Sequence, residues 1–173
     1  MFRIILFTIF IYSAYKWSDW RNWKLYYPSI LFFIICSLLY NLIYYNYPLW
    51  KFEPLPIIEK LLPNNTLISI AVSFTIFPCT TLLYLSHLPK GKKELIYMLI
   101  WVLFYTLIEL ISIPCQAISY HNGWNLGYSI IFNIITFSIL KLHHERPLVA
   151  WGFVFIAIIV ISTYFKLPID GMK

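Results

Sequence analysis

Apolar residues are collected in six long runs along the chain, and short polar stretches separate these runs. The runs are Phe2–Tyr15, Ser29–Tyr47, Leu67–Leu88, Leu95–Ser119, Trp124–Leu142 and Leu148–Phe165. None shows the strict polar–apolar alternation that would indicate a β-strand. A helix that crosses a bilayer needs about 20 apolar residues. The pattern therefore predicts an all-α, polytopic integral membrane bundle with six transmembrane helices, the first of them short, in a single domain over residues 1–173.

The first run is the weakest of the six. Arg3 followed by apolar residues resembles the start of a signal peptide. Cleavage after Ala14 would need a small residue where Tyr12 stands, so the sequence favours a retained short helix.

A faint internal similarity links the second and fifth runs. SILFFII begins at Ser29 and SIIFNII begins at Ser129. Helices there would run in opposite directions, as in a three-plus-three inverted repeat. Chance similarity between two apolar sequences is the alternative.

Composition points to lipid as the solvent of this chain. Hydrophobic residues make up 61% of it and charged residues 12%, whereas ordinary globular domains are about 25% charged. The net charge is +6, but the basic residues lie between the runs and form no continuous stripe. They are typical of membrane orientation signals rather than of a nucleic-acid surface. The expected partner is the lipid bilayer, with no nucleic acid.

Basic residues also predict the orientation in the cell membrane. The loops at 16–24, 90–93 and 141–146 together hold eight Lys and Arg, against five on the opposite side. The positive-inside rule places these loops in the cytoplasm. Both termini and the loop YHNGWN are then outside; if the first run does not span, only the N-terminus changes side.

Four of the predicted helices each carry a polar face when residues are spaced at 100° intervals. The members are Ser37, Tyr40, Asn41 and Tyr44; Thr66, Ser69, Ser73, Thr80, Tyr84 and His87; Trp101, Tyr105, Glu109, Ser112, Gln116 and Ser119; and Asn122, Asn125, Ser129, Asn133 and Thr136. Polar groups facing lipid are costly, so these faces are expected to turn inward. The last run is almost wholly apolar and is expected at the periphery.

Glu109 is the acidic residue inside an apolar run. On a rise of about 1.5 Å per residue it lies about 15 Å from the outer end of its predicted helix, in one layer with Asn41, Ser73 and Asn133. No Lys or Arg lies within a run at that depth, so no cationic partner is expected. Pro78 and Pro114 would each leave a helical carbonyl free.

These observations predict a polar cavity centred on Glu109 that opens outward and binds or passes a small molecule or an ion. The predicted ligand-binding residues are Glu109, Asn41, Ser73, Asn133, Ser129, Gln116, Tyr105, Asn122 and Trp124. Two alternatives stay open. One is a non-catalytic structural or assembly protein whose polar stripes hold helices together, and the other is an intramembrane enzyme without a recognisable motif.

Catalytic and metal-binding patterns are missing from the sequence. There is no G-x-S-x-G, P-loop or dinucleotide motif, and no second carboxylate lies in a run. The histidines His87, His143 and His144 lack ligand spacing and are expected to be solvated or to face headgroups. No catalytic residue, metal site or cofactor is therefore assigned. Cys36, Cys79 and Cys115 are expected to be small buried hydrophobes.

Three stretches resemble those of a family of small multi-span membrane proteins of Bacillus-like spore-forming bacteria. They are YYPSILFFIICSLLYNLIYYNYPLW, LLPNNTLISI and ISYHNGWNLGYSIIFN, and the resemblance extends from Trp20 to Trp151. It implies a membrane location, and it implies no activity, functional residue or oligomeric state.

Overall fold

Six helices form the bundle in the part of the chain that the computed structural model describes, residues 2–55 and 60–168. They are α1 (Phe2–Trp17), α2 (Trp23–Ile43), α3 (Asn65–Ser86), α4 (Lys93–Ser112), α5 (Leu126–Glu145) and α6 (Pro147–Tyr164). The helices α2 to α6 are long and apolar enough to cross a membrane. The prediction of an all-α membrane bundle is confirmed, and α1, with 16 residues, is the short helix. Lys173, one of the basic residues predicted outside, lies beyond the described residues.

Local sequence explains where the helices begin. The side chain of Asn64 accepts a hydrogen bond from Leu67 N, and the side chain of Asn125 accepts from Gly127 N and Tyr128 N. Asn is a preferred residue at this capping position because its oxygen satisfies the free amides of the first turn. Pro147 at the start of α6 suits a helical first turn, which needs no amide donor.

The fourth helix ends earlier than predicted. The expected helix to Ser119 is wrong in its last turns, because α4 stops at Ser112. Pro114 has no amide hydrogen to continue the ladder, and Gln116 adopts a positive φ of 53°. Ala117 N then donates to Ser112 O, which closes the helix end. Pro114 thus lies beyond the helix, whereas Pro78 is inside α3 as expected.

Two three-residue strands were not predicted. β1 (Trp50–Phe52), between α2 and α3, pairs antiparallel with β2 (Ile118–Tyr120), between α4 and α5. Because successive side chains of a strand point to opposite faces, Lys51 and its partner Ser119 lie on one face of this sheet. Residues on the other face, including Trp50, line cavities inside the bundle.

Antiparallel helices give the bundle two distinct ends. Near the sheet, Tyr44 at the end of α2 hydrogen-bonds Ser162 near the end of α6. We call this the strand end. At the opposite end, which we call the basic end, Tyr26 stacks on His144 with ring centroids 5.8 Å apart. The orientation prediction places the basic end in the cytoplasm.

The two halves of the bundle pack differently. Helix α3 contacts both α1 and α2, whereas α5 contacts both α4 and α6, and α2 with α5 connects the halves. An inverted repeat would make α3 equivalent to α6, so the packing does not follow that correspondence. Tyr84 and Phe137 are fully buried at the centre. Phe153 and Ile156 on α6 are 50% and 58% exposed, which confirms that this helix is peripheral.

Candidate functional site

Two adjoining cavities lie beneath the two-stranded sheet. One, which we call the Glu109 cavity, has a volume of about 170 Å³ and is lined from α1 to α5 and from both strands. The other, the α2–α6 cleft, has a volume of about 160 Å³. The rings of Phe33 and Phe77 line both cavities and stack with centroids 4.2 Å apart. Trp50 and Phe52 of the sheet also line both spaces, so the sheet covers the two cavities together.

Glu109 is held in the Glu109 cavity by two hydroxyl donors. Its Oε1 accepts a hydrogen bond from Tyr120 at 2.8 Å and one from Ser129 at 2.6 Å. Trp124 Nε1 donates to Ser129 Oγ at 2.9 Å. The indole therefore fixes the direction of the serine hydroxyl, whose single proton goes to the carboxylate.

Tyr120 is placed for this role by its strand. Its hydroxyl donates to Glu109 Oε1, and burial raises the pKa of Tyr120. The sheet thus contributes directly to the surroundings of Glu109.

The depth predicted for Glu109 is wrong. Because α4 ends at Ser112, Glu109 lies in the last turn, about 5 Å from the helix end on the usual rise per residue. It is half-buried beneath β2 rather than deep in the span.

The three residues that were predicted to share one polar layer with Glu109 lie in different environments. Asn133 lines the Glu109 cavity, but Asn41 lines the α2–α6 cleft and donates to Ser37 O at 2.8 Å. Ser73 is fully buried, and its Oγ lies 2.8 Å from Ser37 Oγ and 2.7 Å from Ser69 O. Hydrogen bonds therefore link the polar faces of α2 and α3 and those of α4 and α5, and each pair of faces also borders a cavity.

The other predicted residues are placed as follows. Tyr105 lines the Glu109 cavity, and its hydroxyl lies 2.5 Å from Thr80 Oγ1. Trp124 and Ser129 also line this cavity. Gln116 lies exposed on the turn after α4. Asn122 is exposed and donates to Pro48 O at 2.8 Å, so it ties two loops of the strand end together.

Arg3 is the residue that the sequence analysis missed. It was counted among the basic residues at the membrane surface, yet it is only 4% exposed and lines the Glu109 cavity. Its Nη2 donates to Glu53 O at 3.1 Å and to Ala117 O at 3.0 Å. The guanidinium carbon lies 5.9 Å from the centroid of the Phe52 ring. The sequence offered one indication of this burial, which is the shortness of the first apolar run. The end of a short helix can lie below the outer loops instead of reaching the membrane surface.

Arg3 and Glu109 are the two charged residues in the lining of this cavity. The sequence analysis had expected no cationic partner for Glu109 and had not placed Arg3 in the same cavity. The two side chains do not form an ion pair within the described residues. Nη1 of Arg3 is buried and has no hydrogen-bond partner among them.

Other polar groups have structural partners. His143 was expected to be solvated but is buried, with Nδ1 3.1 Å from Ser29 Oγ and its ring stacked on Phe32. At the strand end, Ser119 donates to Glu53 Oε1 at 2.5 Å and lies 2.8 Å from His121 Nε2.

The fold and the site together define a small polytopic membrane protein in which Arg3 and Glu109 line one cavity beneath the two-stranded sheet. No protein-family model, no curated protein and no solved structure matches the chain.

Proposed function

We propose that this membrane protein binds a small molecule in the Glu109 cavity. The observation that carries the proposal is the hydrogen bonding of the Glu109 carboxylate. Its Oε1 is positioned by Tyr120 and Ser129, while no described residue donates a hydrogen bond to Oε2. The carboxylate is thus fixed in position, and its second oxygen is not used by the protein. Because it lies on the wall of a space of about 170 Å³, it is suited to accept a hydrogen bond from a ligand.

The polar residues of the cavity wall support binding over a purely structural role. Glu109 of α4 and Asn133 of α5 both line the Glu109 cavity, and they do not hydrogen-bond each other within the described residues. An apolar cavity of about 150 Å³ accommodates benzene, so the Glu109 cavity has room for a molecule of about that size.

Cysteine accessibility tests the proposal. We expect Asn133→Cys, in a background without Cys36, Cys79 and Cys115 and in lipid nanodiscs, to react with a water-soluble methanethiosulfonate. Ile131→Cys is the matched control, because Ile131 lies on the same helix but is 55% exposed on the outside of the bundle, where lipid excludes the reagent. Reaction of Asn133→Cys no faster than that of Ile131→Cys would contradict a cavity open to solutes.

Passage across the membrane is a second candidate, and one contact favours it. Phe10 lines the Glu109 cavity and also a groove of about 470 Å³ towards the basic end. Its ring packs 5.9 Å from Phe104, which lines the groove, and 6.3 Å from Tyr105, which lines the cavity. In proteoliposomes, Phe10→Ala should increase uptake of a bound solute relative to Phe10→Leu. Equal uptake by the two variants would leave binding as the function.

A further inference from the structure

We infer that the ligand of the Glu109 cavity is a small zwitterion, with an anionic group for Arg3 and an amine for Glu109; this rests on the proposed function. The inference begins with the two formal charges in the lining. One is the guanidinium of Arg3 and the other is the carboxylate of Glu109. They are not in contact, so neither neutralises the other directly.

The Arg3 guanidinium is only partly satisfied. Two backbone carbonyls accept from Nη2, but these acceptors are neutral, and the Phe52 ring supplies only a weak counter-charge. Nη1 is buried with no partner among residues 2–55 and 60–168. A buried cation without an anion is costly. A carboxylate or similar oxyanion on a ligand would supply the missing acceptor, as charge-assisted bonds to Arg commonly do.

Glu109 requires a hydrogen-bond donor on the ligand, whereas Arg3 requires an acceptor. Its Oε1 already accepts from Tyr120 and Ser129, so Oε2 is the oxygen available to a ligand. A carboxylate oxygen accepts hydrogen bonds only, and an ammonium group offers three donors. An amine on the ligand therefore matches this side of the cavity.

Charge balance favours a zwitterion over a simple cation or a simple anion as the ligand. A metal cation beside Glu109 would also meet the positive charge of Arg3, and an anion beside Arg3 would meet the negative charge of Glu109. A zwitterion satisfies both charges and adds no net charge to a low-dielectric space, where unbalanced charge costs most. The remaining lining is largely aromatic and aliphatic, which suits a short apolar spacer between the two ligand groups.

A series of ω-amino acids tests the inference. The probes are glycine through 6-aminohexanoate, with pentanoate and pentylamine as the matched anion and cation of 5-aminopentanoate. The readout is the melting temperature of the purified protein. At about ten times its Kd, a bound probe should raise the melting temperature by about 3–6 °C. At least one amino acid of the series should exceed both single-charge probes at equal concentration.

Variants assign each ligand group to a residue. Arg3→Gln should weaken binding of carboxylate probes about tenfold or more, while any response to pentylamine is kept, which also shows that the variant is folded. Arg3→Lys keeps the charge and should retain part of the carboxylate affinity. Glu109→Gln should weaken the amine probes and spare pentanoate.

Each other outcome contradicts either the inference alone or both the inference and the proposed function. If pentylamine binds best through Glu109, or pentanoate binds best through Arg3, the ligand is not a zwitterion and the proposed function stands. If no probe binds but Asn133→Cys is reactive, the inference fails while the cavity remains open to solutes. If no probe binds and Asn133→Cys is inert, both the inference and the proposed function fail.

Discussion

Glu109→Leu should lower the free energy of unfolding by about 1–3 kcal/mol, because the hydroxyls of Tyr120 and Ser129 would both lose their acceptor. Glu109→Gln keeps an amide oxygen in the same place and should change stability by less than about 1 kcal/mol. Denaturant titration of both variants in the same detergent measures the difference.

Tyr120→Phe provides the control for this prediction. It removes one of the donors, so Glu109→Leu should cost less in the Tyr120→Phe background than in the wild type. Equal stability of the Leu and Gln variants would show that the carboxylate is not an acceptor in the folded protein. It would then have no fixed position in the cavity.

Arg3→Met should lower the free energy of unfolding by about 1–3 kcal/mol. The change leaves Glu53 O without its donor from α1, and a buried carbonyl without a partner costs about 1–3 kcal/mol. Ala117 O loses the donor from Arg3 but still accepts from Glu53 N at 3.0 Å. Because these carbonyls flank the two strands, hydrogen exchange of the β1 and β2 amides should accelerate as well. The melting curve and the exchange rates are measured on the same protein.

Arg21→Met is the matched control, since Arg21 is exposed at the basic end. It should change stability by no more than about 0.5 kcal/mol. If Arg3→Met and Arg21→Met behaved alike, Arg3 would be a surface residue, as its sequence position alone suggested.

The helices were predictable because a long apolar run has few structural alternatives in a membrane. The inward positions of Ser129 and Asn133 followed from helical periodicity in the same way. The position at which α4 ends could not be predicted in this way. Residues Ile118–Tyr120 are apolar enough to extend the run, and the turn that separates them depends on Pro114 and on the positive φ of Gln116.

The sheet and Arg3 could not be found from periodicity. Strands of three residues are too short to show alternation, and β1 pairs with a segment more than sixty residues away in the chain. Arg3 is buried only because its acceptors, Glu53 O and Ala117 O, are brought together by that pairing. The sequence therefore identified one charged residue of the site, Glu109, and the tertiary contact added the other.

Ligand protection of Asn133→Cys tests the central claim, a small-molecule site shared by Glu109 and Arg3, most directly. The labelling rate with a water-soluble methanethiosulfonate is measured with and without each ω-amino acid. We predict that at least one of them slows labelling about tenfold when it is present at about ten times its Kd, and that Glu109→Gln and Arg3→Gln each reduce this protection to about twofold or less at the same concentration. Labelling of an accessible Asn133→Cys that no member of the series slows, or protection that persists in both variants, would contradict the account.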